Sequence, residues 1–275
     1  VAPSKKTIPD GSDQLTPPPL PLTIEAAWAS HAGQVREINE DVCGIFTDLR
    51  FFVIADGMGG HSAGEIAAQI AVDALETFHR ENQSADRPTW PFPMDPRFSL
   101  PVNLMRVGFK VANQRIREES VNDPAWHRMG ATAAALTFDE EQLVAGHTGD
   151  VRIYRYRRDH LSRLTRDHSL FEEMRVARPD LSEAEIETIA PRNVVTRALG
   201  TKLEVEATVR VNSYLDQDIY LICSDGLWGA VSDAEIARLL GTDSDLDSRC
   251  LALIDAANQA GGSDNISLIL IRVRR

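Results

Sequence analysis

The apolar residues of this chain recur with two different periods, and the switches between them lay out its elements. From Thr23 the run TIEAAWAS predicts a strand, and DVCGIF followed by RFFVIAD predicts a hairpin that turns across residues 47–50. The second limb is almost continuously apolar, the pattern of a strand covered on both faces. The period then becomes helical. Residues 63–79 carry Ile66, Ile70, Val72, Ala74, Leu75 and Phe78, and residues 104–119 carry Leu104, Val107, Val111, Asn113 and Ile116. Between the two helices, the Pro-rich residues 81–101 read as an irregular surface excursion.

Strand patterning returns in ATAAALTF, QLVAGHTG and VRIYRYR, separated by Asp-Glu and Gly-Asp turns. Residues 169–192 read as helical, with Ser182 and Glu185 spaced as a capping box. EATVRVN and DIYLICS predict further strands, residues 233–240 and 246–259 two more helices, and NISLILIRV a closing strand. Blocks of strands interrupted by helical pairs imply an α+β fold with antiparallel sheets packed together and helices outside. A dinucleotide-binding fold is excluded, because strands and helices do not alternate and no G-x-G-x-x-G follows the first strand. No G-x-x-x-x-G-K-[ST] phosphate loop is present either. Residues 1–21, rich in Pro, Ser, Asp and Lys, read as a loose arm ahead of a single domain at 22–275.

A net charge of −12 argues against a nucleic-acid partner, since polyanion binding relies on Lys and Arg. It suits a protein whose working groups are carboxylates, part of whose charge bound divalent cations would cancel. Cys43, Cys223 and Cys250 form no short-spaced framework, and the first two sit in apolar runs as small core residues. No apolar stretch is long enough to cross a membrane and no secretory pattern opens the chain, so membrane insertion is not expected and a cytoplasmic location is.

Four acidic clusters carry the chemistry: NED ending at Asp41, VIADGMGG with Asp56, CSDGLW with Asp225, and GGSDNIS with Asp264. Each falls at the start or end of a strand-like run, where a carboxylate is poorly solvated unless a cation accepts it. Asp56 is followed by three glycines in four positions, so the backbone can approach a ligand and offer a carbonyl. The plainer alternative is a strand-to-helix turn that Asp56 caps. Asp225 and Asp264 each admit an Asx-turn, and it is the repetition of apolar strand, Asp and Gly that points to one cationic site. An oxygen-only donor set favours magnesium or manganese over zinc. Two such ions about 3.5–4 Å apart could activate a hydroxide for phosphoester hydrolysis. His61 and His147 are expected to be hydrogen-bonded structural histidines, with Asp150 the stronger metal candidate.

These residues resemble the metal-dependent serine/threonine protein phosphatases of the type 2C family, in their bacterial form. The matching motifs run in order: R-x-x-N-E-D from Arg36, DGMGG from Asp56, MGATAAA from Met129, GHTGDVR from Gly146, LTRDHSL from Leu164, VVTRALG from Val194, SDGLW from Ser224, and GGSDNIS. The resemblance implies a four-layer α-β-β-α sandwich, two central antiparallel sheets flanked by helix pairs, with metals in a cleft at one end. It implies that Asp56, Asp225 and Asp264 hold a first Mn2+ or Mg2+ ion. Asp56 and the Gly57 carbonyl would share a second, with Glu40 and Asp41 nearby, and Asp150 with Asp264 would serve a third. Arg36 would grip the substrate phosphate, a role compatible with a salt bridge to Glu40 or Asp41.

The implied reaction is attack of a metal-bridging hydroxide on phosphoserine or phosphothreonine in proteins, among them substrates of serine/threonine kinases or the kinases themselves. No C-x5-R loop offers a cysteine nucleophile. Met58 stands where many eukaryotic relatives carry a proton-donating histidine, and Val151 stands beside Asp150 where the family usually has serine. Residues 169–192 occupy the position of the family's flap beside the cleft. The alternatives are a regulatory phosphatase with one partner protein and, less expected, an inactive phosphoprotein-binding module. A monomer is the simplest expectation.

Overall fold

The computed structural model describes residues 22–59, 63–83, 90–122 and 126–275. The N-terminal arm, His61 and part of the Pro-rich excursion lie outside the described residues.

Alternation along one strand sets the layering. In β3 (Phe51–Met58), Phe51, Val53 and Ala55 join the core beneath α1 (Ala63–Asn82) and α2 (Leu100–Asn122), while Phe52 and Ile54 face a second sheet. A strand buried on both faces has to be apolar throughout, which accounts for FFVIA. β3 lies in a five-stranded antiparallel sheet with β2 (Asp41–Phe46), β4 (Gly130–Phe138), β5 (Gln142–Thr148) and β8 (Thr208–Ser213), in the order β2-β3-β4-β5-β8. The facing sheet runs β1 (Thr23–His31), β10 (Ile266–Arg274), β9 (Ile219–Cys223), β6 (Arg152–Arg157) and β7 (His160–Arg163). Its outer face is covered by α5 (Asp225–Trp228), α6 (Asp233–Leu240) and α7 (Leu246–Gln259), which enclose Leu221, Leu268 and Leu270. Ile153, Ile222, Ile269 and Ile271 fill the gap between the sheets with Phe52, Ile54 and Leu136. The result is an α-β-β-α sandwich with three parallel layers of core.

Residues 169–192, the expected flap, contain α3 (Leu170–Ala177) and α4 (Glu183–Ile189), and both hydrogen bonds of the Ser182–Glu185 capping box are formed. It holds a small core of its own, Phe171, Ile186 and Ala190.

Several local expectations change. The second helix is longer than its apolar period suggests, and Asn113 on its buried face is a polar anchor: its amide donates to the carbonyls of Lys202 and Leu203 and its oxygen accepts from Gly200 N–H. The described part of the excursion is not a free surface loop, because Trp90 packs edge-on against Phe78 with ring centroids 5.3 Å apart. The strand expected at 206–212 spans Thr208–Ser213, and β7 pairs with β6 in a hairpin too short to stand out from alternation alone. Asp225 opens a helical turn rather than ending a strand.

Candidate active site

Asp41 and Asp56 face each other in register across the β2–β3 pair. Opposed residues of an antiparallel pair project to the same side with Cβ atoms about 5 Å apart. Asp56 follows Phe52 and Ile54 in parity, so both carboxylates point into the gap between the sheets, at its end. β3 continues past Asp56 to Met58, which holds the next residue, Gly57, in the sheet. Gly57 N–H donates to the Glu40 carbonyl at 3.1 Å, and a Cβ on Gly57 would lie 2.0 Å from the Gly64 carbonyl oxygen. A Cβ on Gly64 would in turn lie 2.2 Å from Glu40 Oε1. Glycine at both positions lets the first turn of α1, the strand and the Glu40 carboxyl share one small space.

The other sheet supplies the opposite wall. β9 delivers Ser224, whose hydroxyl donates to Asp41 Oδ2 at 2.7 Å and so ties the two sheets together at the site. Asp225 follows as the first residue of α5, and Gly226 passes so close to the Asn265 carbonyl that a Cβ would lie 2.1 Å away. Asp264 and Asn265 precede β10. The Asn265 oxygen accepts from Glu40 N–H at 2.8 Å, and its amide donates to the carbonyls of Ala32 and Ile38 at 3.0 and 2.9 Å. One side chain therefore clamps the loop that carries Arg36 and Glu40. Arg36 Nη2 donates to Asp264 Oδ2 at 2.9 Å, so its ion-pair partner is Asp264 rather than Glu40 or Asp41. Asp150, in the β5–β6 turn, is buried, and its carbonyl accepts from the Trp228 indole N–H at 3.0 Å.

The electrostatics follow from this crowding. Burial raises the Asp56 carboxyl well above its ordinary value, and the charges of Asp41, Asp225, Asp150 and Asp264 add to it. Burial raises Asp41 too, against the Ser224 and Ser267 hydroxyls that favour its ionised form. Asp225 is raised by burial and by Asp264, with Arg36 opposing. Asp150 is pushed up to about 7 by burial, then by Asp225 and Asp167. Glu40 is raised by burial, with Arg36 pulling the other way. Asp41 Oδ1 and Glu40 Oε1 are buried without a hydrogen-bond partner among the described residues.

The fold thus gathers Arg36, Glu40, Asp41, Asp56, Gly57, Asp150, Asp225 and Asp264 at one end of the sandwich. Among the described residues, no three His, Cys, Asp or Glu side chains are drawn together in a geometry that would hold an ion. The carboxylates are assembled without forming a coordination sphere. Their chemistry still fits a hard divalent cation: oxygen donors only, two of them orphaned, and mutual repulsion that a cation would relieve. His147 is a structural residue, as expected; its Nε2 bonds the Arg166 carbonyl at 2.7 Å and its ring stacks on His168 at 4.5 Å.

A family model for protein phosphatase 2C matches residues 30–242. The chain belongs to that family. It is 30% identical to a serine/threonine phosphatase, stp, of Listeria innocua over 255 residues, covering 90% of this chain and 95% of that one. The fold is similar to that of the Mycobacterium tuberculosis serine/threonine phosphatase PstP/Ppp, with a TM-score of 0.80, 28% identity and coverage of 92% and 99% of the two chains. A catalytic domain of the serine/threonine phosphatase PstP, in complex with 2 manganese ions, superposes with a TM-score of 0.77 at 29% identity, covering 92% of this chain and all of that one.

Within this type 2C fold, sequence reasoning passed over two residues that build the site, Ser224 and Asn265. Both lie inside quoted motifs, SDGLW and GGSDNIS, beside the acidic residues that drew attention. Their importance rests on contacts to Asp41 and Glu40, some two hundred residues away, which no local pattern reports. Among the described residues, no helix is long and apolar enough to cross a membrane.

Proposed function

We propose that the chain is a metal-dependent protein phosphatase that hydrolyses phosphoserine and phosphothreonine esters. The observation that carries this reading is the in-register pair Asp41 and Asp56, completed across the sheets by Asp225 and Asp264. Asp56, Asp225 and Asp264 would hold one Mn2+ or Mg2+ ion. Asp56 and the Gly57 carbonyl would hold a second, with Glu40 and Asp41 close by, and Asp150 with Asp264 would serve a third. When bound, such ions supply activation of a water nucleophile and offset charge on the transferring phosphoryl group.

The chain's own residues provide the rest. Ser224 fixes the Asp41 carboxylate by one oxygen and leaves the other buried without a hydrogen-bond partner among the described residues. Asn265 sets the height of the Glu40 backbone and, through Ile38, of the loop bearing Arg36. The Arg36 guanidinium is half exposed and uses one nitrogen on Asp264, so the rest of its fork can take two phosphate oxygens. Met58 offers no proton to the leaving alkoxide, so that proton would come from water or from another residue of the site. Phosphorylated proteins in kinase signalling are the proposed partners. An inactive binding module is the weaker reading, since such a protein has no use for the repulsion that the gathered carboxylates maintain.

The test is phosphate release from a phosphothreonine peptide with and without manganese, beside Asp225→Asn. Metal-dependent release that collapses in the variant is expected. No release by wild-type protein with manganese demonstrably bound would move the assignment to a binding role.

A further inference from the structure

Arg152, the first residue of β6, is buried two residues after Asp150 and has no role in the reading above. Every edge of its guanidinium is used. Nε and Nη2 form a fork onto Asp167 at 3.0 and 2.7 Å, and Nη1 donates to the Tyr154 hydroxyl at 3.0 Å. Its face lies on the Trp228 ring, 3.5 Å from the centroid. Trp228 in turn donates its indole N–H to the Asp150 carbonyl, and it closes α5, the single turn that Asp225 opens.

The same network continues outward. Arg163 Nη1 lies 3.5 Å from Asp167 Oδ2, and its Nη2 reaches Glu172 of α3 at 3.2 Å. Glu172, itself buried, also accepts from Arg166 at 3.2 Å and Arg175 at 3.0 Å. A chain of ion pairs from Glu172 to Arg152, completed by the Arg152–Trp228 stack and the indole hydrogen bond, thus connects α3 to the two turns that bear Asp150 and Asp225.

The sign of the charge decides what Arg152 is for. A fixed cation beside carboxylates that have to attract a divalent cation opposes binding. Its field acts on both Asp150 and Asp225, favouring their ionised forms over the protonated ones but equally repelling an incoming ion. A contribution to the site therefore has to be geometric. Guanidinium's planar fork and stacking face suit it to that: the fork sets the plane, and the plane sets the indole. We propose that the Arg152–Trp228 stack is a positioning element that places Asp150 and Asp225 for their ions and couples that placement to the docking of residues 163–177, which lead into and include α3.

This inference rests on the metal-dependent reading of the site. Coupling is reciprocal, so an ion should steady the flap by as much as the docked flap favours the ion. The experiment is calorimetric titration of the full chain with MnCl2, paired with hydrogen–deuterium exchange over residues 163–177 with and without Mn2+. In wild type, Mn2+ is expected to slow exchange in that segment. In Arg152→Gln, Mn2+ affinity is expected to fall about tenfold and the ion-induced protection to disappear. Arg152→Lys keeps the charge but loses the fork and the stack, and is expected to behave like the Gln variant.

A role through charge alone predicts the opposite, tighter Mn2+ binding in Arg152→Gln and wild-type affinity in Arg152→Lys; either result overturns the proposal. Should Arg152→Gln fail to fold, Trp228→Phe decides, because it keeps an aromatic face and removes only the donor to Asp150. Unchanged Mn2+ affinity there overturns the proposal. Failure of wild type to bind Mn2+ would refute the metal reading itself, whereas binding that is indifferent to every variant leaves that reading standing and removes the coupling.

Discussion

Replacing Asp56 with Asn should abolish the phosphatase and, without metal, make the protein more stable. Asp56 and Asp41 are in-register neighbours on one face of an antiparallel pair, so their Cβ atoms stand about 5 Å apart, which sets the scale of the charge separation. Two unit charges at that separation repel by about 3 kcal/mol at an effective dielectric constant of about 20. Protonation already relieves part of this, since burial and the neighbouring charges hold the Asp56 carboxyl well above its ordinary value. The gain on removing the charge near pH 8 should therefore be about 2 kcal/mol rather than the full Coulomb energy. In a domain of this size that corresponds to a rise in Tm of roughly 4–8 °C. The assay is thermal unfolding followed by circular dichroism at pH 8 in EDTA. The same scans in excess MnCl2 should reverse the order, because only wild type gains from binding the ion in its native state. An Asp56→Asn protein that melts below wild type in EDTA would refute the argument that these carboxylates are held together against their repulsion.

Metal-free stability should also fall as pH rises. Asp150 is pushed up to about 7 in the fold, above the ordinary carboxylate value of about 4, so the native state holds its proton where the unfolded chain has lost it. The difference in bound protons makes the Asp150 contribution to stability decline from about pH 4 to about pH 7, a slope that urea titrations in EDTA would show and that saturating Mn2+ should erase. Arg36→Ala should lower kcat/KM between about tenfold and a hundredfold, the value of a charge-assisted hydrogen bond to phosphate. Its exposed pairing with Asp264 should leave urea stability within about 1 kcal/mol. Asn265→Ala should cost about 2–3 kcal/mol in urea unfolding, since the Glu40 N–H and two loop carbonyls lose their partner together.

Periodicity along the chain was enough to locate most of the strands and the longer helices and to separate the doubly buried β3 from its neighbours, because side chains alternate by two in a sheet and recur near 3.6 in a helix whatever the distant surroundings. Turn chemistry was equally legible: the glycines after Asp56 and Asp225 stand where a Cβ would strike a backbone carbonyl. The ordered motifs also marked Arg36, Glu40, Asp41, Asp56, Gly57, Asp150, Asp225 and Asp264 as one set, and the family that this set resembles is the one to which the chain belongs.

What only the tertiary structure decided is which of these residues touch. Arg36 pairs with Asp264 and not with the acids four and five positions along, because Asn265 holds its loop against the turn before β10, so closely that a Cβ on Gly33 would lie 2.3 Å from the Asp264 carbonyl oxygen. Ser224 binds Asp41 across two sheets, Asn113 is a polar anchor on a face that periodicity reads as apolar, and Arg152 connects the flap to Trp228. Such contacts join segments far apart in sequence, and their strength depends on burial, which lowers the local dielectric and leaves each polar group only the partners that the fold brings. Local patterning encodes which elements form; the free energy of these long-range polar contacts is defined only once the elements have packed.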